Sequence, residues 1–180
     1  DEVGRGSLAG PVVAAACILD REKSVPEGLN DTKKLTTKRR AEIAEELRHS
    51  AVAFAVGVVE ADEIDRINIL EATKLAMVKS INALKPAADH LLKQSSLPQK
   101  AIIKGDAISY SIAAASVIAK TYRDDLMCRY DSEYPQYGFA GHKGYGAAVH
   151  LEALRRHGPC PLHRLTFRGV LPEKEIEDTR

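Results

Sequence analysis

Two almost uninterrupted apolar runs dominate the first third of the chain, at Val12–Leu19 and Ala51–Val59. Each run is too short and too continuously apolar for a surface helix, so each predicts a buried β-strand. Shorter apolar runs at residues 90–92 and 101–103 predict two further strands, and Gly105 ends the second of these.

Apolar positions also recur at helical spacing between and after these runs. A first helix follows Thr36 or Thr37, either of which can cap it. Its apolar stripe consists of Ala41, Ile43, Ala44 and Leu47. A second helix covers residues 68–84, and Pro86 ends it. Two more helices are predicted, at residues 111–130 and at residues 146–156, and Gly158 ends the latter.

The order of these elements indicates the fold class. Strands come first as a group and then alternate with helices, which predicts an α/β domain with a mixed sheet flanked by helices. At 180 residues the chain is most simply one domain with a substantial core. We assign this domain to residues 1–170, including a small helical C-terminal part, and expect the mostly charged residues 171–180 to fray.

Composition narrows the function classes only a little. Lys and Arg number 26 and Asp and Glu number 25, so no global positive field indicates nucleic-acid binding, which must then depend on local patches. No apolar run approaches the ~18 residues of a membrane span, and no signal peptide or lipidation motif is present. Cys17, Cys128 and Cys160 fit no zinc spacing and indicate free thiols in a reducing cytoplasm.

The first six residues, Asp1-Glu2-Val3-Gly4-Arg5-Gly6, place two adjacent carboxylates beside a glycine-flanked arginine. Carboxylates bind hard divalent cations, and glycines let a backbone approach a sugar-phosphate closely. Neighbouring side chains on a regular strand point to opposite faces. Asp1 and Glu2 can therefore share a metal site only if the strand bulges, ends there or lends a carbonyl. The alternative is a solvated terminus followed by a tight turn.

Two later segments offer further candidate chemistry. Asp106 follows a predicted strand and Gly105, so it can project into a cleft at the edge of the sheet, or it can simply cap the next helix. In the segment 141–145, Lys143 suits a phosphate and Tyr145 offers a stacking face. The alternative there is an ordinary helix entry with a core tyrosine.

Other polar clusters favour structural roles. The basic runs at residues 32–34 and 38–40 are typical of a solvated helix face. Arg123 and Asp124 predict a structural ion pair on the long helix. His157 and His163 form no convincing triad, and no nucleophile elbow is present, so covalent catalysis is disfavoured.

Together these segments resemble the bacterial ribonuclease HII family, the type 2 ribonucleases H. The resemblance runs in family order from Asp1 to about Val170, through DEVGRGSLAGPVVAAACIL, NDTKKLTTKRR, NILEATKLAM, IIKGDAISYSIAAASVIAKTYRD, YPQYGFAGHKGYG and HRLTF. It implies a ribonuclease-H-like fold and cleavage of the RNA strand of RNA–DNA hybrids. It also implies nicking of DNA on the 5′ side of embedded ribonucleotides, which leaves 3′-hydroxyl and 5′-phosphate ends.

The resemblance also implies roles for single residues and a cofactor. The corresponding positions are Asp1, Glu2 and Asp106 for the catalytic, metal-binding acids; Gly4, Arg5 and Gly6 for the loop that grips the ribonucleotide; Tyr145 for the tyrosine that packs on its sugar; and Thr32, Lys33 and Lys143 for phosphate contacts. The implied reaction is hydrolysis by two divalent ions roughly 3.5–4 Å apart. Mg²⁺ is expected, with Mn²⁺ as a substitute.

One family position has no match in this chain. The family usually carries another aspartate after the strand that here ends at Leu91-Leu92, whereas this chain continues with Lys93-Gln94-Ser95-Ser96. Either the protein lacks that ligand and is a weakened enzyme, or a segment is missing between Leu92 and Lys93. We expect the second, because residues 97–100 resume the family pattern and because the sequence also begins abruptly at Asp1.

Two other functions stay open at this point. One is a hybrid-binding module that does not cleave, and the other is the sister enzyme ribonuclease HIII. In each case we expect a monomer whose partners are RNA–DNA hybrids and DNA that contains ribonucleotides, with no membrane contact.

Overall fold

An antiparallel sheet organises the structure, a computed structural model that describes residues 1–29, 35–85, 102–103 and 105–171. Its strands are β1 (Glu2–Val3), β2 (Val12–Leu19) and β3 (Ala51–Val59), in the order β1-β2-β3. Ala14 of β2 pairs with Glu2 on one side and with Gly57 on the other. Both long apolar runs are therefore strands, as predicted, and the named strands within these ranges pair antiparallel. The predicted burial of β3 is wrong for Val52 and Phe54, which are 48% and 37% exposed, because their side chains point to the face opposite that of the buried Ala53.

Six helices in the described part of the chain, one between β2 and β3 and the others after β3, confirm the α/β class. They are α1 (Thr37–Ser50), α2 (Ala61–Ile67), α3 (Ile69–Asn82), α4 (Tyr110–Glu133), α5 (Phe139–His142) and α6 (Ala148–His157). The Thr36 hydroxyl oxygen accepts a hydrogen bond from the Arg39 amide at 3.2 Å, so Thr36 caps α1 as predicted. Within the part of the chain that the structure describes, no helix is both long and apolar enough to cross a membrane.

The first half of strand β2, Val12–Ala15, is buried on both faces, which explains its unbroken apolar sequence. Val13 and Ala15 pack with α1 and the first half of α4. Val12 and Ala14 point the other way and pack with α2 and α3. This alternation follows from the two-residue period of a strand. Helix α4 therefore packs against β2, the strand that also pairs with β1. This brings α4 close to the first residues of the chain.

A separate cluster of buried residues forms the C-terminal part of the domain. Tyr137 and Phe139 stack with ring centroids 5.3 Å apart. Met127 of α4 and Leu154 of α6 pack against them. The predicted small helical C-terminal part is thus present, and its core joins the end of α4 to α6.

Two sequence expectations near the middle of the chain need correction or lie outside the described ranges. Ile102 and Ile103 belong to no strand, and Ile103 is 88% exposed, so the predicted strand at residues 101–103 is wrong for these two positions. The run at residues 90–92, Pro86 and the junction between Leu92 and Lys93 lie outside the described residues.

Candidate functional site

Three of the predicted acids line one cavity. Asp1, Glu2 and Asp106 border an opening of about 450 Å³ between β1, the turn before α4, and α1. All three residues are partly exposed. The remaining lining residues are Val3, Arg40, Ser116, Val117 and Lys120. Carboxylates that are 105 positions apart in sequence therefore face the same space, as the sequence predicts.

Strand β1 is short, and this shortness allows both N-terminal acids to face the cavity. The Asp1 carbonyl accepts a hydrogen bond from the Ala15 amide at 2.9 Å, while β1 itself comprises only Glu2 and Val3. Gly4, with φ of 88°, then turns the chain away from the sheet. Of the arrangements that the sequence leaves open, the acids lie at the N-terminal end of the strand, which begins at Glu2 and stops after Val3.

Asp106 sits in a tight turn just before α4. Residues Gly105–Ala107 form one turn of 3₁₀-helix, and the Ser109 amide donates to the Gly105 carbonyl at 2.8 Å. Ser109, not Asp106, occupies the N-cap position of α4. The alternative in which Asp106 merely caps this helix is therefore wrong, and its side chain lies beside the cavity instead.

Two basic side chains line the cavity: Lys120, which the sequence analysis did not single out, and Arg40, for which the predicted solvated helix face is wrong. The Lys120 ammonium lies 2.6 Å from an Asp124 carboxylate oxygen, and the Arg40 guanidinium lies 3.9 Å from the other oxygen. Arg40 is only 14% exposed, whereas Arg39 points outward and pairs with acids of its own helix. Helical spacing could have indicated that Arg40 faces inward. Arg40 precedes the buried Ile43, Ala44 and Leu47 by three, four and seven positions, so it lies on the same face of α1.

These contacts also correct the ion pair predicted between Arg123 and Asp124. Asp124 pairs with Lys120 and Arg40 at the cavity, and the Arg123 side chain points into the protein interior, where it is fully buried. Adjacent residues on a helix point about 100° apart, so the two side chains reach different neighbours.

Two buried arginines hold the loop of residues 4–11. Arg164 donates to the carbonyls of Gly4 at 2.7 Å, Arg5 at 2.9 Å and Gly10 at 2.8 Å. Arg123 donates to the carbonyls of Ala9 at 3.1 Å and Pro11 at 3.0 Å. Each guanidinium thus fixes several backbone oxygens of the glycine-rich segment at once.

Both guanidiniums are fully buried, and neither forms an ion pair with an acid in the described ranges. Burial lowers the pKa of Arg123, and burial together with the nearby Arg123 charge lowers the pKa of Arg164 to about 9. Backbone carbonyl dipoles, rather than an acidic side chain, stabilise each charge. Two cations therefore lie beneath the loop of residues 4–11, and their positive charge favours the approach of a polyanion such as a nucleic acid.

The same arginine joins the loop to Tyr145. Arg123 donates to the Lys143 carbonyl at 2.8 Å, and its guanidinium carbon lies 5.6 Å from the centre of the Tyr145 ring. The Leu8 amide donates to the Gly144 carbonyl at 2.8 Å. Tyr145 is 39% exposed, so the alternative of a core tyrosine is wrong.

Of the residues predicted to contact phosphates, the structure describes Lys143 but not Thr32 or Lys33. The Lys143 ammonium donates to the Ala140 carbonyl at 2.6 Å and lies 3.1 Å from the Cys128 sulfur, on an exposed surface. The ammonium group is therefore bound to α5, and it would have to break this hydrogen bond in order to bind a phosphate. Thr32 and Lys33 lie outside the described residues. Arg5 is exposed and lies 3.4 Å from Glu2.

Gly4→Ala is expected to lower the thermal midpoint of unfolding markedly. A Cβ at Gly4 would lie 2.2 Å from Arg123 Nε, and the backbone has the positive φ that L-residues rarely adopt. The expected cost is roughly 2–4 kcal/mol, the sum of strain and of a displaced buried guanidinium. Gly6→Ala is the matched control, because a Cβ at Gly6 would meet nothing within 4 Å and the φ of Gly6 is ordinary. Equal midpoints for the two variants in a thermal melt would contradict the packing described.

The donor chemistry of the cavity fits hard divalent cations, which prefer carboxylate oxygens. No group of three or more His, Cys, Asp or Glu side chains in the described ranges is gathered tightly enough to hold a metal ion by itself. Mg²⁺ commonly binds through one or two carboxylates and completes its shell with water and substrate phosphate. The acids therefore suit a metal that binds together with a phosphate-bearing ligand.

Comparisons with known proteins agree with the fold and the motifs. A family profile described as Ribonuclease HII matches residues 1–170. Ribonuclease HII of Syntrophotalea carbinolica is 52% identical over 176 residues, covering 94% of this chain and 84% of that protein. The alignment has 176 positions, which is more than the number of residues in 94% of this 180-residue chain. The alignment therefore contains positions at which the relative has a residue and this chain has none.

Solved structures match over the same extent. The crystal structure of ribonuclease H2 from Pyrococcus horikoshii OT3 has a TM-score of 0.76 and 26% identity, covering 94% of this chain and 92% of that one. A structure of Bst-RNase HIII in complex with Mn²⁺ has a TM-score of 0.72 and 22% identity, covering 94% of this chain and 66% of that one. The second likeness concerns the fold alone.

Proposed function

The chain belongs to the ribonuclease HII family, and from this premise we propose how its residues carry out the family's reaction. It is a metal-dependent endonuclease of the ribonuclease H type that acts on RNA–DNA hybrids. Membership in the sister family of ribonuclease HIII is set aside, because both the profile and the relatives at about half identity are ribonuclease HII. We assign the catalytic domain to residues 1–170.

The observation that supports the cleavage site best is the shared cavity of Asp1, Glu2 and Asp106. We propose that these three carboxylates hold the divalent ions, Mg²⁺ or Mn²⁺. A pair of such ions supplies activation of a water and stabilisation of the leaving 3′ oxygen. Bound cations would reduce the repulsion between these three carboxylates and an approaching phosphodiester.

Lys120 and Arg40 complete the proposed site on its basic side. Both are bound to Asp124, which restrains their charged groups beside the cavity. A phosphodiester oxygen that enters the cavity would meet these two cations as well as the acids. We propose that they orient the scissile phosphate, since positioning and charge stabilisation are the main protein contributions to such a reaction.

Selection of the ribonucleotide is proposed to depend on the loop of Gly4, Arg5 and Gly6 together with Tyr145. Arg164 holds the Gly4 and Arg5 carbonyls, so these carbonyls are turned inward and cannot repel a phosphate. Arg123 ties the Ala9 carbonyl of the loop to the Lys143 carbonyl, two residues before Tyr145. The 2′-hydroxyl distinguishes RNA from DNA at one nucleotide, and an exposed tyrosine beside a fixed backbone is suited to detect it. We propose cleavage on the 5′ side of that nucleotide, with little dependence on its base.

Tyr145→Ala is expected to reduce kcat/KM for a DNA duplex with one embedded ribonucleotide by roughly 10- to 100-fold, the value of one lost stacking contact of ~1–3 kcal/mol. The loss on a continuous RNA–DNA hybrid should be smaller, because neighbouring ribonucleotides offer alternative registers. Tyr122→Ala, which removes a tyrosine of similar exposure, is the control. Equal losses on both substrates would indicate a folding role for Tyr145 instead.

A second candidate function is a hybrid-binding module with weak or no cleavage. It is favoured by the unmatched family aspartate after Leu92 and by the residues that the relative has and this chain lacks. The test is incubation of the protein with a duplex that carries one ribonucleotide, in Mg²⁺ and separately in Mn²⁺. A nick that leaves a 5′-phosphate supports the endonuclease, whereas a shifted but intact duplex in both metals supports the module.

We further propose that the protein acts as a monomer in the cytoplasm. Cys17, Cys128 and Cys160 are free thiols, which suits a reducing compartment. Size-exclusion chromatography with light scattering tests the monomer, and a mass near twice 19.6 kDa would refute it.

A further inference from the structure

Three histidines pack next to the loop that carries Tyr145, outside the proposed cleavage cavity. His150 is 0% exposed and His163 is 2% exposed, while His142 is partly buried. The cluster also includes the Cys160 thiol, 3.2 Å from His163 Nδ1. Among the residues that the structure describes, these side chains are not arranged so that they could hold a metal ion. The proposed chemistry does not use these histidines, so their burial needs another explanation.

The shortest contacts of His150 and His163 favour one arrangement of protons, although His163 Nδ1 also lies 3.3 Å from the Cys160 carbonyl. The Cys160 amide, 2.9 Å from His163 Nδ1, can only donate, so Nδ1 must accept and the proton of His163 lies on Nε2. His163 Nε2 lies 3.0 Å from His150 Nε2, which must therefore accept. The proton of His150 is then on Nδ1 and is donated to the Tyr145 carbonyl at 2.8 Å. Both rings are neutral.

His142 supports the same loop in the same charge state. The Gly144 amide donates to His142 Nδ1 at 3.2 Å, so Nε2 carries the proton and donates to the Tyr137 carbonyl at 2.9 Å. The rings of His142 and His150 stack with centroids 4.4 Å apart. Two neutral histidines thus bind the backbone on either side of one peptide unit, at Gly144 and Tyr145.

We propose that His150 and His163 are positioning residues for Tyr145. The chain of hydrogen bonds from the Cys160 amide through His163 and His150 to the Tyr145 carbonyl, which we term the relay, holds the Tyr145 backbone so that its ring meets the ribose. A third proton would set two N–H groups against each other, either at the Cys160 amide or between the two rings. The relay therefore works only with neutral histidines, and acidification releases Tyr145. This inference rests on the proposed role of Tyr145 in selecting the ribonucleotide.

The surroundings of the relay favour the neutral form. The titratable groups that face it are His142, Cys160 and Tyr137, and the Tyr137 ring lies 4.8 Å from His163. Burial lowers the pKa of His150, and burial with the neighbouring histidines lowers the pKa of His163 to about 4 from 6.5. The unfolded chain therefore binds more protons between pH 6.5 and 4. The stability of the relay is complete above pH 6.5 and is lost as the pH falls through this window.

The test compares two substitutions of His150. Leu fills the space but cannot donate, whereas the Asn amide nitrogen can take the place of Nδ1 and donate to the Tyr145 carbonyl. The measured quantity is the ratio of kcat/KM for a single-ribonucleotide duplex to kcat/KM for a continuous hybrid, in which general losses of activity cancel. His150→Leu should lower this ratio roughly tenfold, the effect of one buried hydrogen bond. His150→Asn should restore it to within about twofold of the parent chain.

A readout independent of cleavage comes from the imidazole nitrogens. Long-range ¹⁵N–¹H correlation spectra of the unsubstituted protein at pH 7.5 should show His150 protonated on Nδ1 only and His163 on Nε2 only. The opposite tautomers, or a doubly protonated ring, would overturn the relay. An unchanged substrate ratio in folded His150→Leu would overturn its role in positioning Tyr145. If the spectra agree but the unsubstituted protein nicks neither substrate, the proposed cleavage fails while the relay stands.

Discussion

Asp1→Asn is expected to abolish cleavage while leaving hybrid binding nearly unchanged. The substitution keeps the size of the side chain but removes its charge, and an amide is a poor ligand for the ions that the cavity is proposed to hold. Removing one electrostatic partner of a reacting phosphate costs on the order of a thousandfold in rate. Single-turnover nicking of a duplex with one ribonucleotide, in Mg²⁺ and in Mn²⁺, measures the loss. Fluorescence anisotropy with a labelled hybrid measures binding.

The matched control for this experiment is Asp125→Asn, which removes an exposed carboxylate from α4 without changing the cavity lining. It should nick as fast as the parent chain. Full Mg²⁺-dependent activity in Asp1→Asn would remove Asp1 from the metal site. Loss of binding together with cleavage would show that Asp1 serves the loop rather than the chemistry.

The fold was predictable wherever one sequence pattern determined one element. The apolar runs Val12–Leu19 and Ala51–Val59 predicted two strands, and Thr36 offered a cap ahead of α1, but the exposure of Val52 in the second strand was not predicted. The apolar pattern at residues 101–103 misled, because a short apolar run does not show whether other strands lie within pairing distance. Ile103 is instead 88% exposed. Pairing between strands is a tertiary property, and three residues carry too little information to specify it.

The convergence of the acids on one cavity was predictable, but the support of the neighbouring loop was not. Asp1, Glu2 and Asp106 stand in motifs, so the sequence alone indicated them as candidate metal ligands, and the structure places all three around one cavity. Arg123 and Arg164 carried no such signal, since a buried arginine is rare and arginines are mostly found at the surface. The carbonyls that they bind become available only when the loop of residues 4–11 folds back on itself. Geometry created by the fold, rather than residue type, gives these arginines their role.

Arg164→Met is expected to cause the largest loss of stability among single substitutions outside the cavity. Met fills a similar volume but donates nothing, so the carbonyls of Gly4, Arg5 and Gly10 lose the donors that satisfy them. Each buried acceptor left unsatisfied costs about 1–3 kcal/mol, which gives a total of roughly 3–5 kcal/mol after partial relaxation. A chain of this length should then melt about 10 °C lower. Thermal denaturation followed by circular dichroism measures the shift.

Two companions make this result specific to the guanidinium. Arg155→Met removes an arginine that is 69% exposed and paired only with Glu152, and its melting temperature should stay within about 2 °C of the parent chain. Arg164→Lys keeps the positive charge but replaces a planar fork with a single ammonium, which cannot serve three carbonyls in different directions. It should therefore recover less than half of the loss. If Lys restored stability fully, charge alone would hold the loop. Because the same carbonyls orient Gly4 and Arg5, the variant that melts earliest should also lose the most preference for an embedded ribonucleotide.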